Sequence, residues 1–218
     1  MHGSRRIIGV AGISAVLAAL IAVYLLDFLF VSPPAVSATV SGGTAHLVLQ
    51  TVPSYGHAPD PDWVSYLAED SHGRWRHTTI YQVPAHTLVT VTIYQYDTAT
   101  GLRNPFMAQV RGTQGGVAQL DGKPFSTLDP NLTSHTFSVP DLGISVPLAG
   151  VGDNAKNQCS VAPCTIAEAH TTITFSFMSP GKGTYRWQCF VPCAAGFYLG
   201  FGGPMQTIGW MDGEIKVV

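Results

Sequence analysis

The sequence predicts an all-β domain, a sandwich of about seven strands, preceded by one transmembrane helix. Three observations lead there. The chain begins with a long apolar run; short β-branched and aromatic runs follow, separated by clusters of Gly, Pro, Asp and Asn. Of the 218 residues, about 180 remain once the apolar run is set aside, which suits one domain.

The apolar run extends from Ile7 to Phe30 with one formal charge, Asp27. About 24 residues at 1.5 Å each exceed a hydrocarbon core of roughly 30 Å. Arg5 and Arg6 precede the run and no Lys or Arg follows until Arg74. That asymmetry keeps the short N-terminus cytoplasmic and sends the rest outside, so the expected location is the cell membrane, single-pass, with an extracytoplasmic C-terminal domain. Asp27 falls near the outer end of the span, where a charge is tolerated. A cleaved signal peptide is the alternative, with a small-residue site at Val36-Ser37-Ala38, but the run is longer than an ordinary h-region of about 7–15 residues. Residues 1–31 thus read as cytoplasmic terminus and anchor, 32–43 as a linker rich in Ser, Pro, Ala and Gly, and 44–218 as the domain.

Charge removes one class of function. Only 11% of residues are charged, the formal net charge is −2, and apart from Arg5 and Arg6 the eleven Lys and Arg are scattered singly. No basic patch is present, so nucleic acid is not an expected partner. Hydrolase chemistry also lacks support, since neither a Gly-x-Ser-x-Gly elbow nor a His-Glu-x-x-His motif occurs.

The expected strands are His46 to Thr51, Thr87 to Tyr96, Pro105 to Arg111, Ser134 to Val139, Thr171 to Phe177, Tyr185 to Cys189 and Glu214 to Val218. Tyr55 to Trp75 has no clear period and reads as an insertion, with a short helical turn near Leu67. Because side chains alternate faces along a strand, parity identifies the interior. From Thr184 to Cys189 the odd positions are apolar and the even ones polar, which puts Cys189 on the buried face with Tyr185 and Trp187. By the same rule His135 points inward with Phe137 and Val139, and Met211 shares the inward parity of Ile215 and Val217. An imidazole, a thiolate and a weak thioether are what a soft, electron-transferring copper site uses. Cys193 adds a second thiolate, and a Cys-x3-Cys loop can hold one or two copper ions.

Order and local spacing point to a known family. His135-Thr136-Phe137-Ser138-Val139-Pro140 and, some fifty residues later, Gly183-Thr184-Tyr185-Arg186-Trp187-Gln188-Cys189-Phe190-Val191-Pro192-Cys193 resemble two elements of cytochrome c oxidase subunit II. These are the family's His-Ser-Phe-x-Val-Pro and Gly-x-Tyr-x-x-Gln-Cys-x3-Cys. The closing Met211-Asp212-Gly213-Glu214-Ile215 resembles its Met-x-Gly-x-Val ending. The resemblance covers roughly residues 85 to 218. It implies a cupredoxin-like Greek-key β-sandwich, copper as cofactor, and His135, Cys189, Cys193 and Met211 as metal ligands of the family's binuclear site. It also implies copper-dependent electron transfer, with an integral membrane protein complex and an extracytoplasmic redox protein as partners. The chain departs from the pattern in two ways. It has one apolar span where the family usually has two, and the family's second His, in Cys-x3-His-x2-Met, has no counterpart between Cys193 and Met211.

Other readings of the same residues stay open. Met205, after Gly202-Gly203-Pro204, is a rival sulfur ligand, and either methionine can simply fill core volume. Cys189 and Cys193 can form a disulfide in an exported domain, giving a copper-free structural or docking subunit that presents the aromatic loop from Phe197 to Trp210. Cys159 and Cys164 suit a local disulfide. By parity His86 and His170 fall on outer faces, and nothing singles out His46, His57, His72 or His77.

Overall fold

Two β-sheets face each other across an apolar core in the computed structural model, which describes residues 2–26, 33–102, 104–194 and 196–218. Residues up to Ser32 form one compact unit and Pro33–Val218 another. In the first, α1 spans His2–Tyr24. Its large apolar side chains, among them Ile13, Leu17 and Leu20, are exposed. Among the described residues no helix is long and apolar enough to cross a membrane. The last part of the span read from sequence, including Asp27 and Phe30, lies outside the described residues.

The second unit begins with β1 (Val36–Ser37), β2 (Thr39–Ser41), β3 (Thr44–Val52) and β4 (Ser65–Glu69). It continues with β5 (Trp75–Arg76), β6 (Ile80–Val83), β7 (Leu88–Gln95), β8 (Ala118–Leu120) and β9 (Lys123–Phe125). It ends with β10 (Thr133–Val139), β11 (Ile144–Ala149), β12 (Thr171–Met178), β13 (Gly183–Gln188) and β14 (Asp212–Val217). One sheet runs β1-β6-β14-β13-β10-β11, the other β5-β4-β3-β7-β12-β8-β9, with β2 paired to β3. The β3–β7 and β6–β14 pairs are parallel; β7–β12, β13–β14 and β10–β11 are antiparallel.

Several differences from the sequence reading have physical causes. Residues 32–43 were expected to be linker, yet β1 and β2 lie there, with β1 held by parallel pairing of Val36 with Tyr81. The helical turn expected near Leu67 is instead β4, with four of its five residues buried. A strand covered on both faces shows no alternation. Pro105 to Arg111 is not a strand: Pro105 opens a short 3-10 helix through Ala108, and the Asn104 side chain accepts the Phe106 N–H at 3.1 Å. Proline at the first helical position with Asn as cap is a helix start. Strand β11 contains Pro147, which hides it from a propensity reading; at the edge of its sheet the missing N–H is tolerated.

The core centres on Trp187 of β13. Its indole stacks between Phe137 (4.9 Å between ring centres) and Tyr81 (5.4 Å) in its own sheet, meets Tyr66 of the opposite sheet edge-on at 4.8 Å, and donates from Nε1 to the Thr79 carbonyl at 2.9 Å. Opposite Trp187 in the β13–β14 register sits Gly213, where a Cβ would lie 2.0 Å from the Thr79 oxygen. Only glycine allows that approach. Truncating Trp187 to Ala should cost about 3–5 kcal/mol in denaturant unfolding. A loss below about 1 kcal/mol would mean the stack is not the organising contact.

Candidate metal centre

Four sulfur and nitrogen side chains meet at one end of the sandwich. His135 comes from β10, where the register with β11 shifts between Thr133 and His135. Such a bulge re-aims side chains locally. Cys189 follows the last residue of β13 on the parity of Trp187, and like His135 it is fully buried. Cys193 lies four residues on in the loop and is half-buried. Met205, fully buried, sits in a short 3-10 helix, Gly203–Gln206.

The distances are those of a ligand cluster. His135 Nδ1 lies 3.9 Å from Cys189 Sγ, the two cysteine sulfurs are 3.9 Å apart, and one ligand atom from each of His135, Cys189 and Cys193 lies within 4.8 Å of the others. Both cysteines are free thiols, whereas Cys159 and Cys164 are joined in a disulfide. Met205 Sδ is 3.1 Å from Cys193 Sγ. Met211, which the resemblance implies as a ligand, is also fully buried, in the same apolar core as Cys189 and Met205, and its backbone braces the site. Its carbonyl accepts the Cys189 N–H and its N–H donates to Pro204, each at 3.0 Å.

A second layer of polar contacts fixes these groups. His135 Nε2 bonds Asp97 Oδ2 at 3.1 Å, which leaves Nδ1 facing the sulfurs. A histidine held through one ring nitrogen presents the other in a set direction and tautomer. The Thr136 N–H points at Cys189 Sγ at 3.4 Å, and the Thr136 hydroxyl oxygen accepts the Phe190 N–H at 2.7 Å. Gln188 donates to the Met205 carbonyl at 2.6 Å, tying the second sulfur loop to β13.

Burial and pairing set the charges. Burial works against charge on the His135 ring, but the Asp97 hydrogen bond, followed by Cys189, outweighs it and the ring is pushed up to about 9. Burial also pushes the Cys189 thiol up, yet the hydrogen bonds with Cys193 and His135 prevail and hold it well below the usual thiol range. The hydrogen bond to Cys189, and then burial, keep the proton on Cys193 far above that range. Negative charge is thus favoured on Cys189 beside a positively charged His135, while Cys193 retains its proton.

The remaining histidines lie elsewhere. His46, His57 and His72 are exposed. His77 stacks on Tyr55 and meets Trp210 edge-on, and His170 packs against Tyr94 and Tyr96. His86 occupies a turn with φ of 50°. Among the described residues, the second imidazole of the resembled family has no replacement in the cluster.

No family model and no curated protein matches the chain. The chain is distantly similar to several solved structures. The metal-binding domain of the Cu(I)-exporting P-type ATPase CopA from Streptococcus pneumoniae D39 is 10% identical, with 86% of this chain and 99% of that one covered and a TM-score of 0.38. A histidine-to-methionine variant of rusticyanin is 18% identical over 86% of this chain and 85% of that one, at 0.37. A multicopper oxidase is 10% identical over 83% and 46%, at 0.31. Likenesses this distant fix no role for any residue, which rests on the geometry above.

Asp97→Asn should lower the His135 midpoint, read by NMR on the reduced, metal-free protein, from about 9 toward the ordinary imidazole value of 6.5. A raised imidazole stabilises the fold below its unfolded value and loses that contribution as pH climbs through the folded one. The substitution should therefore destabilise the protein at pH 6 and have little effect near pH 10. An unchanged midpoint would remove Asp97 from the site.

Proposed function

We propose that this chain is a membrane-anchored, extracytoplasmic cupredoxin-type domain that binds copper and transfers electrons. In this reading it works between an extracytoplasmic redox protein and an integral membrane complex, a place similar to that of an oxidase subunit II. The single observation that carries the proposal is the convergence of His135, Cys189 and Cys193 ligand atoms within 4.8 Å, buried in an apolar core. Two thiol sulfurs, one imidazole and a thioether form a donor set suited to copper and poorly suited to hard cations. Bound copper would supply one-electron chemistry.

The protein's own groups do the rest. Asp97 holds the His135 ring so that Nδ1 faces the sulfurs and would be available to hold the ion. The Thr136 N–H places a partial positive charge at Cys189, which tunes a thiolate ligand. The aromatic packing of Trp187 and Phe137 keeps the strand ends from moving as charge changes. Met205 is the better thioether candidate, because its sulfur adjoins Cys193, and Met211 serves as a brace through its carbonyl to Cys189. Anchoring is supported by Arg5 and Arg6 ahead of the apolar run and by the exposed apolar face of α1. The copper-free alternative requires a disulfide between Cys189 and Cys193, where the structure has two free thiols.

The test is metal analysis with an optical spectrum on the full chain in detergent, reduced and then loaded with copper. Stoichiometric copper and thiolate charge-transfer colour are expected, both abolished by Cys189→Ser and by His135→Ala. A colourless protein holding less than stoichiometric copper would overturn the reading. The two methionines separate by readout. Met205→Leu should shift the spectrum, whereas Met211→Leu should leave it unchanged at a stability cost below about 1.5 kcal/mol.

A further inference from the structure

Thr136 is the residue through which the strand carrying His135 touches the Cys189 sulfur, and its backbone lies past the sheet ladder. β10 pairs with β13 at Ser138 and Gln188, and Thr136 sits beyond that pair, fully buried. Its N–H and carbonyl therefore need partners from elsewhere. The N–H is aimed at Cys189 Sγ at 3.4 Å. The carbonyl accepts the Tyr66 hydroxyl, which reaches across the core from the opposite sheet at 3.2 Å.

Tyr66 belongs to β4, in the segment from Tyr55 to Trp75 to which the sequence assigns no role. It is fully buried and holds the site from two directions. Its side chain fixes Thr136, while its backbone N–H donates to the Trp210 carbonyl at 3.0 Å, next to Met211, whose own carbonyl accepts the Cys189 N–H. Pairing of Tyr66 with Thr51 of β3 anchors this clamp in the second sheet. Burial pushes the Tyr66 phenol well above its usual range, so its hydroxyl stays a donor. Its acceptor is a backbone carbonyl, which cannot take the proton. The phenol is thus placed to act by position, not by losing a proton as it is oxidised.

We infer that Tyr66 is a positioning residue that sets the reduction potential of the copper site by fixing the Thr136 N–H against the Cys189 sulfur. This rests on the copper electron-transfer reading above and names what regulates that site. The electron comes from the redox partner of that reading, and no covalent bond forms or breaks. When the site gains an electron its negative charge increases, and an N–H aimed at a ligand sulfur favours the reduced form. Without the Tyr66 hydroxyl the buried Thr136 carbonyl loses its partner, the strand end relaxes, and the contact from N–H to sulfur loosens. The potential then falls.

The experiment is a potentiometric titration of the full chain in detergent, loaded with copper, for the wild type, Tyr66→Phe and Tyr81→Phe. Tyr66→Phe keeps the ring against Trp187 and removes only the hydroxyl. Tyr81 packs on the same indole, and among the described residues its buried hydroxyl has no hydrogen-bond partner, so Tyr81→Phe controls for the loss of a buried oxygen. Tyr66→Phe should bind the wild-type amount of copper, shift the thiolate charge-transfer band, and hold about threefold less reduced copper at a fixed potential, a fall of about 28 mV for a one-electron couple. Tyr81→Phe should leave potential and band unchanged. In the unmutated Cu(I) protein the Tyr66 hydroxyl proton should exchange slowly enough to give its own NMR resonance. A proton that exchanges too fast to be seen would overturn the role of Tyr66 even if Tyr66→Phe does not fold. Equal potentials in the wild type and Tyr66→Phe, or equal shifts in the two variants, would overturn it while leaving copper binding intact. A wild-type chain that fails to bind stoichiometric copper would overturn the underlying reading as well.

Discussion

The position of Cys189 depends on Trp187. Trp187 lies on β13 and Cys189, two residues on, directly follows the strand's last residue on the same face, so whatever fixes the indole also positions the thiol. Phe137 and Tyr81 clamp the ring from both sides, Tyr66 closes it from the opposite sheet, and Thr79 takes its N–H. The same Thr79 oxygen accepts the Glu214 N–H beside Gly213. One aromatic stack thus sets both the strand that ends just before Cys189 and the strand that begins after Met211, whose carbonyl holds the Cys189 backbone. The ligand geometry follows from the core.

That core has to accept polar chemistry. Transferring a lone charge into an apolar interior is costly unless it is paired. The cluster meets this demand by distributing protons: Asp97 supports a charged His135, His135 and Cys193 support a charged Cys189, and Cys193 stays neutral. Each of these groups has a protein partner: Asp97 for His135, and the Thr136 N–H, His135 and Cys193 for the Cys189 sulfur.

Much of this was legible in the sequence, for identifiable reasons. Strands β7, β12, β13 and β14 cover the core with one face, so their side chains alternate in burial, and parity located Trp187, Cys189, Ile215 and Val217 correctly. Strands β4 and β11 are enclosed on both faces, and their patterns vanish into continuous burial. His135 was placed inward by parity although β10 is buried along its whole length, so the pattern there was weaker than it looked. Asp97 left no trace at all: an aspartate after a strand is an ordinary turn residue, and only the third dimension brings it 38 positions across to His135. The proximity of Met205 to Cys193 was equally invisible, because a short 3-10 helix brings its sulfur there.

The strand that braces the site follows both of its cysteines in the sequence. Residues 212–217 form β14, which lies inside its sheet between β6 and β13. Until it is in place, β6 and β13 have no common neighbour and the Cys189 N–H lacks its acceptor. During synthesis the two cysteines therefore emerge before the structure that separates and orders them exists. The interval between the appearance of Cys193 and the docking of β14 is a window of chemical vulnerability, and anything that guards those thiols must act within it.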